Sequence, residues 1–152
     1  MTDATFEDGA EAPLRLIARD AAGLEVISAL LQDAVFPITE MQFVPGRRRF
    51  ALMVNRLRRE AAAGAVERVQ SLLVFDDVGA VRSQGIDRTD RDTVLSLLTV
   101  RFDGPEDGAG QVLLTLAGDG AIALTVEALD VTLRDVTQPY LAPSRKVPDH
   151  GV

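Results

Sequence analysis

The clearest structural signal in the chain lies at residues 111–126, which read QVLLTLAGDGAIALTV. Two apolar segments, Val112–Leu116 and Ile122–Val126, flank the small residues AGDGA at positions 117–121. Glycine and aspartate tolerate the positive φ angles that tight turns require. The sequence therefore predicts a β-hairpin here, and a sheet in which antiparallel pairing dominates.

Further strands are indicated by short runs of apolar and β-branched residues. Upstream of the hairpin they are predicted at Leu14–Ala18, Met41–Val44, Arg49–Asn55, Arg68–Phe75, Ala80–Ser83 and Leu95–Phe102. Pro45-Gly46 and Asp76–Gly79 are turn signals between consecutive strands of this series. Downstream, Glu127–Val136 fits either a strand or a helix, and the β-branched Val131 favours the strand.

One helix is predicted near the N-terminus. Asp20 is suited to cap it by accepting a hydrogen bond from a free backbone amide near Gly23 or Leu24. Apolar residues recur at helical spacing and form a single face that comprises Leu24, Ile27, Leu30, Leu31 and Ala34. Pro37 prevents the helix from continuing further.

These elements predict an α+β fold. We expect one N-terminal helix packed on a curved, mainly antiparallel sheet or half-barrel of seven to eight strands. Parallel βαβ winding is disfavoured because only one helix is available for a crossover. We expect residues 1–12 to form a flexible leader, residues 13–138 a single domain, and residues 139–152 an extended, proline-spaced tail.

The composition removes most catalytic groups that work near neutral pH. The chain has no cysteine, and its single histidine and single lysine, His150 and Lys146, both lie in the predicted tail. Nucleophilic triads, Schiff-base chemistry and transition-metal sites need such groups in a folded body. The sequence therefore predicts no catalytic residue, no metal site and no cofactor. The acidic start and the lack of a long apolar run predict a cytoplasmic protein without a membrane partner.

Charge is distributed unevenly along the chain, whose net charge is −7. Residues 47–101 contain eleven arginines against seven acidic residues, whereas the segments on either side are acidic. A basic middle is suited to bind a small anion, an acidic protein or a nucleic-acid backbone. The alternative is that the middle and the ends neutralise one another in the fold.

Five residues in this basic middle are candidates for anion binding. In the segment RSQGIDR at residues 82–88, Arg82 and Arg88 would contact the anion, and Asp87 would orient them. Arg47 and Arg49 would point to one side of the strand that follows the Pro45-Gly46 turn. The alternatives are an internal Asp–Arg network in the first segment and a charged, edge-protecting hairpin end in the second.

The chain resembles a known protein family at several points. The segments RRRFAL at 47–52 and VRSQGIDR at 81–88 carry the resemblance, together with three others at 24–34, 94–98 and 120–127. They are similar, in the same order, to the alphaproteobacterial family catalogued as domain of unknown function 2948. This resemblance implies a bacterial, soluble, single-domain protein, and it brings with it no reaction, cofactor or catalytic residue.

Three classes of function stay open at this point. The first is a non-enzymatic binding or interaction module, with a protein partner or a small anionic ligand. The second is a small enzyme that acts on an anionic molecule through carboxylates and arginines. The third is association with nucleic acid through the central arginines, which the acidity of the whole chain disfavours. The sequence does not specify an oligomeric state.

Overall fold

Strands make up most of the molecule. The computed structural model describes residues 13–58, 67–105 and 108–138, and the backbone of residues 140–141. In this part of the chain, eleven strands form one sheet, at Arg15–Ala18 (β1), Val35–Pro37 (β2), Met41–Val44 (β3), Arg49–Leu57 (β4), Glu67–Phe75 (β5), Val78–Gln84 (β6), Val94–Asp103 (β7), Gly110–Leu116 (β8), Ala121–Val126 (β9), Val131–Asp135 (β10) and Tyr140–Leu141 (β11). Every pairing among them is antiparallel.

The predicted number of seven to eight strands was wrong. Two of the additional strands, β2 and β11, have only three and two residues. A period-two pattern cannot be recognised over so few positions, and Pro37 within β2 further disguises it. The mainly antiparallel α+β class is confirmed.

The sheet is open rather than closed. Its strands follow the order β1-β10-β5-β4-β2-β7-β8-β9-β6, while β3 pairs with β4 and β11 pairs with β5. On either side of β2, this order has two halves, β1-β10-β5-β4 and β7-β8-β9-β6. Both halves contribute to one hydrophobic core, which includes Leu52, Leu73, Leu114, Leu124 and Leu133. The inward faces of the two halves therefore pack against each other.

The predicted helix is confirmed as α1, at Ala21–Leu31. The Asp20 carboxylate accepts a hydrogen bond of 2.7 Å from the Gly23 amide, which is the expected cap. The helix ends six residues before Pro37, because Gln32 leaves the helical conformation and Asp33 is left-handed, with φ of 68°. The helix packs against β1 and β7. Of the described helices, none is long and apolar enough to cross a membrane.

The predicted β8–β9 hairpin is confirmed, and the predicted Pro45-Gly46 turn joins two paired strands, β3 and β4. Gly118 and Asp119 have φ angles of 81° and 69° in the turn between β8 and β9. The turn between β3 and β4 is a short 3-10 helix, Pro45–Arg47, followed by Arg48 in the left-handed region. Residues Val131–Asp135 form a strand, which resolves the earlier ambiguity in favour of β structure.

The turn at Asp76-Asp77 does not form a hairpin. Asp77 has a φ of 59°, so the turn exists as predicted, but β5 pairs with β4, β10 and β11, whereas β6 pairs with β9. The chain therefore passes from one half of the sheet to the other at this corner. The chain returns to the first half between β9 and β10. This connection runs beside the corner, since the Glu127 amide donates to the Asp77 carbonyl at 3.0 Å.

Candidate functional site

A wide groove crosses the outer face of β1, β10, β5 and β4. It has a volume of about 600 Å³ and contains three arginines. We call it the arginine groove, and its lining consists of Pro13, Leu14, Arg15, Arg49, Leu72, Val74, Asp76, Thr132, Arg134 and Asp135.

Strand register arranges this outer face in rows. Successive strands align Arg15, Arg134, Leu72 and Met53 in a first row, and Ile17, Thr132, Val74 and Ala51 in a second. Residues two apart on a strand share a face, so the two rows lie side by side. The second row is mostly apolar, and Ile17 is 53% exposed.

The first row places two positive charges directly opposite each other. Arg15 and Arg134 are cross-strand neighbours, and both are exposed. Neither makes an ion pair with any residue that the structure describes. Like charges in this arrangement repel and destabilise the strand pair. A bound carboxylate or phosphate would relieve this repulsion.

The charges along the opposite border of the apolar row are already compensated. Arg49 Nε lies 2.8 Å from Asp76 Oδ1, and Arg19 Nε lies 4.0 Å from Asp130 Oδ1. The positive potential of the groove is therefore concentrated at Arg15 and Arg134.

A buried network supports the strands that carry these arginines. The side chains of Arg56 and Asp135 are 0% and 2% exposed, and Arg56 Nη2 donates to Asp135 Oδ1 at 2.9 Å. Ser71 Oγ donates to the same carboxylate oxygen at 2.7 Å. The second oxygen of Asp135 accepts a hydrogen bond of 2.9 Å from the Leu14 amide. The network thus fixes the start of β1 next to β10 and β5.

Arg58, which directly follows β4, is a second buried positive charge. Its Nη1 donates to Glu67 Oε2 at 2.8 Å, while its Nε and Nη2 have no hydrogen-bond partner among the described residues. This cluster borders residues 59–66, which lie outside the described part of the chain.

The residues predicted to bind an anion lie in several places. Arg49 is in the arginine groove. Arg47 is exposed in the 3-10 turn, where the alternation expected of a strand does not apply. Arg48, between them, pairs with Glu127 at 2.7 Å. The hairpin end thus contributes Arg49, and not Arg47, to the groove.

Arg82 and Arg88 line separate cavities. Arg82 borders a cavity together with Gln84, Leu113 and Ser83, and Ser83 is the one described residue that lines both cavities. Arg88 borders another, together with Val81 and Ser83, whose side chains point to the opposite face of β6. The structure therefore does not bring the two arginines together.

Asp87 is engaged within its own loop. Its carboxylate accepts hydrogen bonds from the hydroxyl and the amide of Thr89. These bonds, the side-chain one above all, hold the pKa of Asp87 below its ordinary value. Gly85, in the same loop, has a φ of 70°. A β-carbon there would lie 2.9 Å from the Asp119 carbonyl, so the close approach comes from the β8–β9 turn.

Sequence reasoning missed Arg15 and Arg134. They are 119 positions apart in the chain, and neither lies in a run of basic residues. Only the pairing of β1 with β10 makes them neighbours. Among the described residues, no three His, Cys, Asp or Glu side chains form a cluster that could hold a metal ion.

Comparison with known proteins identifies a family. Residues 14–150 match the family described as "Protein of unknown function (DUF2948)". The match covers most of the chain, so the protein belongs to this family, as the resemblance indicated. Neither a curated protein nor a solved structure matches the chain.

Proposed function

We propose that this member of the DUF2948 family is a binding module whose arginine groove holds an acidic, partly apolar segment of a partner protein. The observation that carries the proposal is the opposed pair Arg15 and Arg134, which has no carboxylate partner among the described residues. Guanidinium groups present paired donors that match carboxylate geometry, so a bound acidic side chain is well suited to this position.

The charge of the whole molecule limits how an acidic segment can bind. The chain carries a net charge of −7, and long-range attraction does not favour acidic partners. Binding of an acidic segment must therefore depend on local contacts at Arg15 and Arg134. The same acidity disfavours a nucleic-acid backbone, whose many phosphates would face the rest of the surface.

The apolar part of the segment is inferred from the floor of the groove. Leu72 and Val74 are half-buried at its centre, and the exposed Ile17 lies in the same row as Val74. An exposed sheet face with apolar and arginine side chains is typical of protein interfaces. An extended segment with alternating acidic and apolar residues would contact both rows.

The proposal is tested with a labelled peptide in which glutamate and leucine alternate. Binding is measured by fluorescence anisotropy at low and moderate salt, with the wild-type chain and with the variants Arg15→Gln and Arg134→Gln. We expect each variant to weaken binding by about tenfold, the effect of losing one charge-assisted contact. A peptide with glutamine in place of glutamate should lose binding as well.

Arg101→Gln is the matched control, because Arg101 is an exposed arginine on β7, outside the groove. It should leave the affinity unchanged. Equal binding by wild type and an Arg15→Gln/Arg134→Gln double variant would disprove the role of the groove. If citrate alone bound as tightly as the peptide, and with the same dependence on Arg15 and Arg134, the protein-partner proposal would be replaced by that of a small anionic ligand.

A further inference from the structure

A second, smaller cavity lies where the open sheet leaves two strand edges facing each other. Among the described residues, β3 pairs only with β4, and β6 pairs only with β9. Side chains of β3 and β6 nevertheless line one cavity of about 140 Å³, which we call the seam pocket. Its lining consists of Met41, Gln42, Phe43, Phe50, Val81, Ser83, Arg88 and Ile122.

The seam pocket is apolar inside and polar at its opening. Phe50 and Ile122 are buried at its base, and both belong to the hydrophobic core cluster. Ser83 and Arg88 are exposed and therefore lie at the solvent side. Small-molecule sites typically combine apolar walls with a few polar groups that fix the orientation of the ligand.

Arg88 is available for an anion. It makes no ion pair with any described residue, since the neighbouring Asp87 bonds to Thr89 instead. The loop that carries Arg88 is also held in place. Gly85 packs so closely on the Asp119 carbonyl that a β-carbon would not fit.

We propose that the seam pocket binds a small carboxylate with a compact apolar body, such as a single ring or a short branched chain. Its volume is close to that of an engineered cavity of about 150 Å³ that binds benzene, which limits the apolar part to about one ring. The ring would contact Phe50 and Ile122, and the carboxylate would contact Arg88 and the Ser83 hydroxyl. This site is separate from the arginine groove and does not depend on its function.

Benzoate is the probe for this proposal, and amide chemical shifts in the nitrogen–proton correlation spectrum are the measurement. We expect saturable shifts confined to β3, to the end of β6, to the loop at Arg88 and to the positions around Phe50 and Ile122. Acetate, which lacks the ring, and benzyl alcohol, which lacks the charge, should each bind about tenfold more weakly than benzoate.

Three variants separate specific binding from general adsorption. Arg88→Gln should weaken benzoate binding by about tenfold and leave the binding of benzyl alcohol unchanged. Ser83→Phe, at an exposed position, should block the opening and abolish the binding of both. Arg82→Gln is the matched control, since Arg82 lies next to Ser83 on the opposite face of β6, and it should bind as wild type does.

Two results would overturn the proposal. One is equal benzoate affinity in the Arg88→Gln and Arg82→Gln variants. The other is the absence of saturable shifts at millimolar benzoate. Benzoate should also fail to displace the acidic peptide, so a failure at the seam pocket remains distinguishable from a failure at the arginine groove.

Discussion

Asp135 shows how a single side chain sets the geometry of the proposed interface. Its two carboxylate oxygens accept from Arg56, Ser71 and the Leu14 amide, which belong to three different parts of the chain. Arg134, the preceding residue, consequently points to the outer face, opposite Arg15. The buried Arg56–Asp135 ion pair therefore positions the exposed Arg134 beside Arg15.

We expect Asp135→Asn to lower the free energy of unfolding by about 3 kcal/mol, because it removes the charged partner that lies 2.9 Å from the fully buried Arg56 guanidinium. Urea denaturation followed by circular dichroism measures this change. Asp130→Asn is the control, since Asp130 is partly exposed and lies 4.0 Å from Arg19, and it should cost less than about 1 kcal/mol. Equal destabilisation by the two substitutions would show that the Arg56–Asp135 pair contributes no more to stability than the exposed Arg19–Asp130 pair.

The difference between local sequence patterns and long-range strand pairing explains which candidate residues could be predicted. The sequence suggested Arg49 because it follows the Pro45-Gly46 turn, and Arg88 because it belongs to the polar segment at residues 82–88; each lines a cavity in the structure. Arg15 and Arg134 were not predictable, because their proximity depends on the register between distant strands. Local patterns indicate the secondary structure of a residue, whereas long-range pairing determines its neighbours.

At the scale of secondary-structure elements, the local signals were reliable where they were physically complete. The Asp20 cap and the GDG turn fixed α1 and the β8–β9 hairpin, because each motif satisfies its own backbone geometry. The Asp76-Asp77 turn was located correctly, but its outcome was not a hairpin. A two-residue turn can join two paired strands or lead the chain from one half of the sheet to the other. Which of the two occurs depends on the packing of the hydrophobic core, and not on the turn residues.

We expect Gly85→Ala to destabilise the protein by about 1–3 kcal/mol, because the residue has a left-handed φ of 70° and its β-carbon would lie 2.9 Å from the Asp119 carbonyl. The control is Gly46→Ala, in the β3–β4 turn, where nothing lies within 4 Å of the new β-carbon. That variant should change stability by less than about 1 kcal/mol. Thermal unfolding curves would reveal the difference, and a Gly85→Ala variant as stable as Gly46→Ala would contradict this account of the loop.

At the scale of the whole molecule, the two halves of the sheet are joined by β2, which pairs with both β4 and β7, and by two corners of the chain. One is the Asp76-Asp77 turn, and the other is the return connection between β9 and β10. Backbone hydrogen bonds join them, from Glu127 to Asp77 and from Asp76 to Asp130. The leader at residues 1–12 and most of the tail lie outside the described residues, so the predicted domain boundaries stay predictions. The backbone of β11, within the predicted tail, pairs with β5.

A core shared by both halves predicts that the protein unfolds in one cooperative transition. Leu73 on β5 and Leu124 on β9 are fully buried in the same hydrophobic cluster, although their strands do not pair. Replacing either with alanine should lower the free energy of unfolding by about 2–5 kcal/mol and shift the same single transition. Val94→Ala, at a position that is 62% exposed, should change the free energy of unfolding by less than about 0.5 kcal/mol.

Differential scanning calorimetry is the decisive measurement for this prediction. Equal calorimetric and van't Hoff enthalpies in the wild type and in both leucine variants would establish a two-state transition. Two transitions, with Leu73→Ala lowering one and Leu124→Ala the other, would mean that the halves unfold independently. In that event the pairing of β2 and the corner hydrogen bonds, and not a common core, would hold the two halves together. The seam pocket, which is lined by residues of both halves, would then depend on those links.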